Sequence, residues 1–249
     1  MKRRTIKKFS IQCFLWLLFF IFIWIFFTLT SIRTDSLHLS KPEILFQVSM
    51  SNYQGMNLMG IACIFPFCLS ISNISLDERF FTISRYESRG KFLLNNLIIY
   101  LIFSFAFAAI HEVVDVFGLI YAFGFNFINE NNILLIHFIN TFSIFIYYFR
   151  ISVVLTFFKS FLRNTQALFA TFSLYFIFNE IFYYVFSNVW LPCKDLLLIW
   201  GLSRYDMMSN LPYAHIFIVL FRGILLCTIV ILLTYILFNR KDVIDHEKV

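Results

Sequence analysis

The sequence predicts an all-α membrane protein with six transmembrane helices, and three observations carry this prediction. Of the 249 residues 60% are apolar, and the mean hydropathy is +0.81. Several uncharged stretches approach or exceed the roughly 20 apolar residues that a helix needs to cross a bilayer. Lys and Arg gather in the polar segments between these stretches. We therefore expect a single transmembrane domain over residues 1–249.

Six apolar stretches form the predicted spans, and polar or charged residues bound each of them. The first follows a basic lead and runs for 24 residues without a charge; because no small-residue cleavage site follows it, we prefer a retained span to a signal peptide. The second carries Pro66 in its middle. The predicted spans are residues 9–32, 56–74, 92–110, 133–158, 165–187 and 214–238.

The distribution of Lys and Arg predicts the orientation, because loops rich in these residues resist translocation. With both termini in the cytoplasm, fourteen of the twenty Lys and Arg lie in cytoplasmic segments and four in outer loops. The remaining two are Arg150 and Arg222, inside predicted spans. We place Arg150 where the fourth span approaches the cytoplasmic surface, with residues 151–164 as a second amphipathic inner segment.

The composition excludes several functional classes. The net charge of +6 does not indicate nucleic-acid binding, because the basic residues flank apolar spans, where they set orientation and meet anionic lipid. The five Cys residues include no C-x-x-C pair and no His at metal-ligand spacing, so we expect no metal and no other cofactor. The chain has no G-x-x-x-x-G-K-[ST] motif, so any ATP hydrolysis belongs to a partner. We expect no enzymatic activity.

The run His111-Glu112-Val113-Val114-Asp115 partly matches the H-E-x-x-H motif of zinc proteases. In that motif two His residues one helical turn apart hold the metal, and the Glu acts as the base. The second His is absent here. We expect a solvated helix end where the third span reaches the outer surface; the alternative is a metal site in which Asp115 is a ligand.

Two further ionisable residues, Glu180 and Arg222, lie deep in apolar stretches, where charge is costly and seldom faces lipid. Glu180 is seven residues and Arg222 eight residues from the outer end of its predicted span, which places both about 11 to 12 Å deep. Similar depth on consecutive antiparallel helices predicts a buried intramembrane charge pair. The alternatives are snorkelling to the interface and direct contact with a passing solute.

The segment 188–213, between the fifth and sixth spans, is too apolar for an exposed loop. Its aromatic residues include Trp190 and Trp200, which are typical of a membrane interface. Two short helices that lie in or dip into the outer leaflet fit this composition. A single interfacial helix is the alternative.

The charged stretch 75–91, between the second and third spans, is the main functional feature of the sequence. Ser75 and Glu78 have the S-x-x-E spacing of a capping box, which predicts a helix that begins at Leu76. Acidic residues in the first turn and arginines in the last turns complement the helix dipole, and Gly90 fits a helix stop. Apolar residues at three- and four-residue spacing form one face for a membrane surface or a partner protein. An ordinary solvated loop is the alternative.

One local stretch and the whole-chain topology resemble a known family. The sequence RYESRGK at residues 85–91, followed by FLL, resembles the basic R-x-x-S-R segment that leads into the third helix of small bacterial ABC transporter type-2 (ABC-2-like) permeases. In that family the inner loop docks in a cleft of a separate ATPase and transmits its closure to the membrane helices. The resemblance implies this coupling role for Leu76, Asp77, Glu78, Phe80, Phe81, Ile83, Arg85 and Arg89.

The resemblance also implies a function and a set of partners. It implies a permease subunit in a bacterial cell membrane, paired with a second permease subunit, identical or paralogous, and with two ATP-binding-cassette ATPase subunits. Such small permeases are similar to those that export, or protect against, antimicrobial peptides and other amphipathic compounds. The alternative hypothesis is a non-transporting membrane protein that binds or senses a peptide, or confers immunity, through residues 188–213.

Overall fold

The computed structural model describes residues 3–29, 32, 56–74, 89–130, 133–182 and 213–240, and these residues form helices without any strand. Within this part of the chain the α-helices are α1 (Arg3–Ile23), α2 (Ile64–Ile74), α3 (Arg89–Phe123), α4 (Phe125–Glu130), α5 (Ile133–Lys159), α6 (Asn164–Phe176) and α7 (Tyr213–Arg240). Three π-helical segments adjoin them: Trp24–Leu29 continues α1, Met56–Ala62 precedes α2, and Ile177–Phe182 continues α6.

Four of the described helices are long and apolar enough to cross a membrane: Ile6–Leu29, Gly90–Phe123, Leu134–Lys159 and Ile216–Leu237. They correspond to the predicted first, third, fourth and sixth spans. The predicted second span is represented by a shorter apolar helix, Leu58–Ile74, and the predicted fifth by α6 with its extension. The described residues thus form the all-helical bundle expected of a multi-pass membrane protein, while six spans and cytoplasmic termini stay predictions.

Helix α3 does not end at Ile110, the predicted end of the third span, but continues to Phe123. The polar residues His111, Glu112 and Asp115 are buried by neighbouring helices, so they do not require contact with water and do not end the helix. It ends where Gly124 adopts φ 88° and donates its N–H to the carbonyl of Ile120 at 2.9 Å. A glycine in this left-handed conformation is a common helix terminator.

Helix α5 is the centre of the bundle. In the most apolar part of Leu134–Lys159, 61% of the residues are buried. The corresponding fraction is 44% or less in each of the other three membrane-length helices. Helix α5 packs against α2, α3, α6 and α7, while α1 packs against α2 and α3. The more exposed apolar faces of α1 and α7 are suited to contact lipid.

Four fully buried rings, which we call the aromatic cluster, fill the space between α2, α3 and α5. Phe67 of α2 contacts Phe107 of α3 and Tyr148 of α5, with centroid distances of 5.0 and 4.6 Å. Phe103 stacks on Phe67 at 5.7 Å. Edge-on and offset contacts of this kind are favourable beyond the burial of their area. The cluster holds the middle of the three helices together.

The described helical residues of the predicted second span, 56–74, are interrupted near Cys63, between a π-helical and an α-helical part. Pro66 has no N–H to donate, and in a regular helix its ring would clash with the carbonyl one turn earlier. The side chains of Tyr148 and Asn179 donate to the carbonyls of Met59 and Gly60, in the turn before the break. Because a buried carbonyl without a donor costs free energy, these two side chains make the break tolerable.

The charged positions of the described helices are divided between the two ends of the bundle. Nine of the eleven described Lys and Arg positions lie at what we call the basic end, where α1, α3 and α6 begin and α5 and α7 finish: Arg3, Arg4, Lys7, Lys8, Arg89, Lys91, Lys159, Arg163 and Arg240. The end of α2 meets this group, because Lys8 Nζ donates to the carbonyl of Asn73 at 2.7 Å. The four described Asp and Glu positions, Glu112, Asp115, Glu130 and Glu180, lie in the opposite half, which we call the acidic half.

The predicted surroundings of Arg150 are also wrong. Arg150 is only 4% exposed, and its guanidinium carbon lies 5.1 Å from the centre of the Tyr147 ring. Helix α5 continues for more than two turns beyond it to Lys159, so residues 151–164 do not form a separate amphipathic segment. The residues after Arg150 face α2 and α6, and this burial replaces the expected contact with the membrane surface.

Gly118 of α3 allows the end of α1 to lie directly against that helix. A Cβ atom at this position would lie 2.1 Å from Cε2 of Trp24. The indole is rigid and buried, so neither partner can move away easily. The close approach of α1 and α3 therefore depends on the absence of a side chain at residue 118.

We predict that Gly118→Ala destabilises the protein by about 1–3 kcal/mol, because overpacking costs more than the gain in helix propensity. Thermal unfolding of the purified protein in detergent measures the effect. In a Trp24→Leu background the clash is removed, so the same substitution should be neutral or stabilising. An equal loss in both backgrounds would show that Trp24 is not the obstacle.

We predict that Asn179→Leu lowers stability by about 1–3 kcal/mol, since it leaves the carbonyl of Gly60 buried without this donor. It also removes the hydrogen bond from Nδ2 to the Tyr147 hydroxyl, which measures 2.8 Å. The matched control is Thr228→Val, at an exposed hydroxyl that bonds only to its own helix in the described structure. Similar unfolding midpoints for the two variants would contradict the role assigned to Asn179.

Candidate functional site

A polar network lies inside the bundle where α1, α3 and α5 meet, and we call it the Glu112 network. Its carboxylates, imidazoles and amide are at most 3% exposed. Ionisable groups are rare within membrane-spanning helices, and those present almost always face the interior of the bundle. Its members are Trp24, His111, Glu112, Asp115, His137 and Asn140.

Glu112 is the centre of this network. Its Oε1 accepts a hydrogen bond of 2.7 Å from Nδ2 of Asn140 and lies 3.1 Å from Nδ1 of His111. Its Oε2 lies 2.5 Å from Nδ1 of His137. Short contacts of this kind are typical of hydrogen bonds in which a charged group takes part. Both oxygens of Glu112 are therefore occupied by groups on α3 and α5.

Asp115 joins the network to α1. Its Oδ1 accepts a hydrogen bond of 2.9 Å from Nε1 of Trp24, and its Oδ2 lies 3.9 Å from Nδ1 of His137. The Trp24 indole is also the group that lies over Gly118, one turn further along α3. Hydrogen bonds, together with the longer contact between Asp115 and His137, thus connect three membrane-length helices.

Helical periodicity explains why these residues meet. Glu112 and Asp115 are three residues apart on α3, and His137 and Asn140 are three apart on α5, so each pair shares one face of its helix. Helices α3 and α5 run antiparallel, because Ser104, which precedes Glu112 on α3, contacts Ser152, which follows His137 on α5. The two polar faces therefore oppose each other.

The expectation of a solvated helix end at His111–Asp115 is contradicted by this burial. The helix does not end there, and α5 supplies the polar partners that water would otherwise provide. In the described part of the chain, no group of three or more His, Cys, Asp or Glu side chains is arranged to hold a metal ion. Both Nδ1 atoms instead point at the carboxylate of Glu112.

A second buried polar feature lies between α5 and α7. A narrow cleft there is lined by Ser143, Tyr147 and Arg150 of α5, and Gly223 of α7 forms part of its opposite wall. A Cβ atom at Gly223 would lie 2.6 Å from the side chain of Ile146, so this glycine also allows a close helix contact. Arg150 interacts with Tyr175 of α6 as well, which links three helices.

The site residues predicted from sequence lie mostly outside the described residues. Positions 75–88 are not described, and of the predicted coupling residues only Arg89 is placed, as the first residue of α3. The backbone of Glu180 belongs to the π-helical end of α6, its side chain is outside the described part, and Arg222 is half-buried on α7. The charge pair and the coupling role therefore stay predictions, as does the role of residues 188–213.

Sequence reasoning missed His137, Asn140 and Trp24 as site residues. A signal was present, since His137 and Asn140 are polar residues three apart within a long apolar stretch. A tryptophan near the end of a span is ordinarily an interface anchor, so nothing in the sequence marked Trp24 as the partner of Asp115.

Comparison of the chain with known protein families, with curated proteins and with solved structures finds no match. The resemblance to ABC-2-like permeases therefore remains an expectation carried by the sequence. The Glu112 network has to be interpreted from its own chemistry.

We predict that Glu112→Gln and His137→Gln each lower stability by about 3–5 kcal/mol, the usual cost of removing one partner of a buried ionic pair. The double variant should lose clearly less than the sum of the two single losses, because the groups act on each other. Unfolding in detergent of the wild type, both single variants and the double variant gives the coupling energy. Ser104→Ala, which breaks a neutral contact between the same helices, is the control and should cost about 1 kcal/mol. Additive losses would contradict a direct interaction between Glu112 and His137.

Proposed function

We propose that the chain is the membrane-spanning permease subunit of an exporter whose energy comes from a separate ATP-binding-cassette ATPase. The observation that carries the transport part is the Glu112 network within a bundle of membrane-length helices. Ionisable side chains inside a membrane protein are costly and commonly mark solute, ion or proton pathways.

Stability alone gives little reason to keep such a network. Replacing a buried ionic group with apolar side chains of similar volume is often neutral or stabilising in proteins. The adjoining aromatic cluster fills an equivalent space between α2, α3 and α5 with apolar rings. The acids and imidazoles near α1 therefore favour a role in passing or recognising a polar group over a role in packing alone.

The ATPase partnership rests on the charged stretch 75–91. The described helices on either side support it, because α2 ends at Ile74 and α3 begins at Arg89, both at the basic end. The chain between them joins two helix ends on that side of the bundle. By the positive-inside rule the basic end faces the cytoplasm, which is where an ATPase subunit binds.

The proposed working unit contains two permease subunits, identical or paralogous, and two ATPase subunits in a bacterial cell membrane, with both termini of this chain in the cytoplasm. The proposed cargo is an amphipathic compound or an antimicrobial peptide, and the transporter protects the cell against it. This cargo class rests on the resemblance of residues 85–91 to ABC-2-like permeases and on the predicted six-span topology.

We predict that Phe80→Asp abolishes binding of the ATPase, because it places a charge on the apolar face of the predicted coupling helix. The matched control is Thr82→Asp, which adds the same charge on the opposite face of that helix and should keep the partner. The tagged chain is purified in mild detergent at equal membrane expression, and the co-purified ATPase is identified and quantified by mass spectrometry.

Three outcomes decide the proposal. Recovery of an ATP-binding-cassette ATPase in near-equal ratio with wild type and Thr82→Asp, and its loss with Phe80→Asp, supports a coupled exporter. Equal recovery with all three chains shows that residues 76–89 are not the docking site. If wild type brings down no such ATPase, the exporter proposal fails and a non-transporting immunity or sensor protein becomes the better explanation.

A further inference from the structure

The Glu112 network places four titratable side chains together where water does not reach them in this structure. Helix α3 contributes His111, Glu112 and Asp115, and α5 contributes His137. Glu112 interacts with both imidazoles, and His137 also interacts with Asp115. The protonation of Glu112 and that of His137 therefore depend on each other.

Helix α1 closes the network from a third side without adding a titratable group among its described contacts. The Phe20 ring lies 5.0 Å from the ring of His111, and Trp24 donates to Asp115. Toward the basic end the next layer is the aromatic cluster, in which Phe107 also contacts Phe20 at 5.3 Å. The network is thus enclosed by rings on these sides.

Charge balance limits which protonation states can be buried. With both carboxylates ionised and both imidazoles neutral, the four side chains carry two negative charges. Buried charge is costly, so such groups favour protonation states that lower the charge of the set. Two further protons make the four side chains neutral as a set, whether the protons sit on nitrogen or on oxygen.

The hydrogen bonds fix which nitrogen of each imidazole carries a proton, and a neutral imidazole can meet this need in its Nδ1–H tautomer. Asn140 and Trp24 bring N–H groups that never titrate near neutral pH, one to each carboxylate. The contacts of His111 and His137 with Glu112 require a proton between each Nδ1 and the carboxylate. Without it, a nitrogen lone pair would face an oxygen lone pair, at only 2.5 Å in the case of His137.

One aqueous side is closer to the network than the other. His137 lies four residues from the first residue of α5, about 6 Å along the helix axis. In the other direction more than twenty residues separate it from Lys159, about 33 Å, with the aromatic cluster in between. Protons therefore have the shorter route from the acidic half of the bundle.

We propose that the Glu112 network is a proton-binding site that exchanges up to two protons with the aqueous side at the acidic half of the bundle. Glu112 and His137 are its central pair, and Asp115 is the acceptor that Trp24 contacts. The proposed ligand is a proton and not a metal ion, because the described residues include no group of three or more His, Cys, Asp or Glu side chains arranged to hold a metal. The site does not depend on the proposed ATPase partner, so each proposal can fail without the other.

Trp24 provides a reporter inside the site, since the emission of an indole responds to charge beside its Nε1. Replacing Trp16, Trp190 and Trp200 with Phe leaves Trp24 as the single tryptophan. This full-length chain is reconstituted in lipid nanodiscs, and its emission is recorded between about pH 4 and 10, which covers the ordinary titration of carboxyl and imidazole groups. We expect a reversible spectral shift.

Two conservative variants locate the titrating groups. Glu112→Gln and Asp115→Asn should each reduce the amplitude of the shift by more than half, whereas Ser104→Ala, on the same helix but outside the network, should leave it unchanged. Asp115→Asn keeps an oxygen for Trp24 to donate to, so it remains usable if Glu112→Gln does not fold. The titration is repeated with sodium replaced by choline and with a metal chelator.

Each result decides for or against the proton site. A shift that both variants reduce, and that neither sodium nor chelator alters, supports it. The absence of a shift in the single-tryptophan chain overturns it, and so does a shift that both variants retain. A titration that moves with sodium or with the chelator assigns the site to a cation and overturns the proton assignment.

Discussion

Hydrocarbon offers no hydrogen-bond partner, so polar groups inside the spans of this chain must find their partners within the protein, and much of the described structure follows from this constraint. It explains why side chains of α5 and α6 reach the carbonyls next to the break before α2. It also explains why Thr156 and Thr171 bond back to the preceding turn of their own helices. The contacts of Tyr148 and Asn179 add to the apolar packing that holds neighbouring helices together.

The Glu112 network is the largest consequence of the same constraint. Burying two acids and two imidazoles is tolerable because α3 and α5 present matching polar faces and α1 adds the Trp24 N–H. The contact with α1 in turn requires Gly118, because any side chain there would occupy the place of the indole. The residues that bring the chemical groups together are thus also those that determine how closely the three helices approach.

Local composition predicted most of the helices but not their partners. The uncharged stretches located helices α1, α3, α5 and α7, and the majority of the predicted ends lie within a few residues of the observed helix ends. The run at His111–Asp115 was misinterpreted because hydropathy treats polar residues as solvated, whereas their burial depends on His137 and Asn140, more than twenty residues away in sequence. Gly124, by contrast, is a local terminator that the sequence alone could have placed at the end of α3.

Helix α5 connects the features on which the two functional proposals rest. Near its start it carries His137 in the Glu112 network, and in its middle Tyr148 bonds to the chain before α2. The segment proposed to meet the ATPase joins α2 to α3, and both of these helices pack against α5. A displacement of that segment would therefore act on α5 at two places, at the aromatic cluster and at the Glu112 network. Because packed cores shift between discrete arrangements more readily than they deform, such a displacement would change both contacts together.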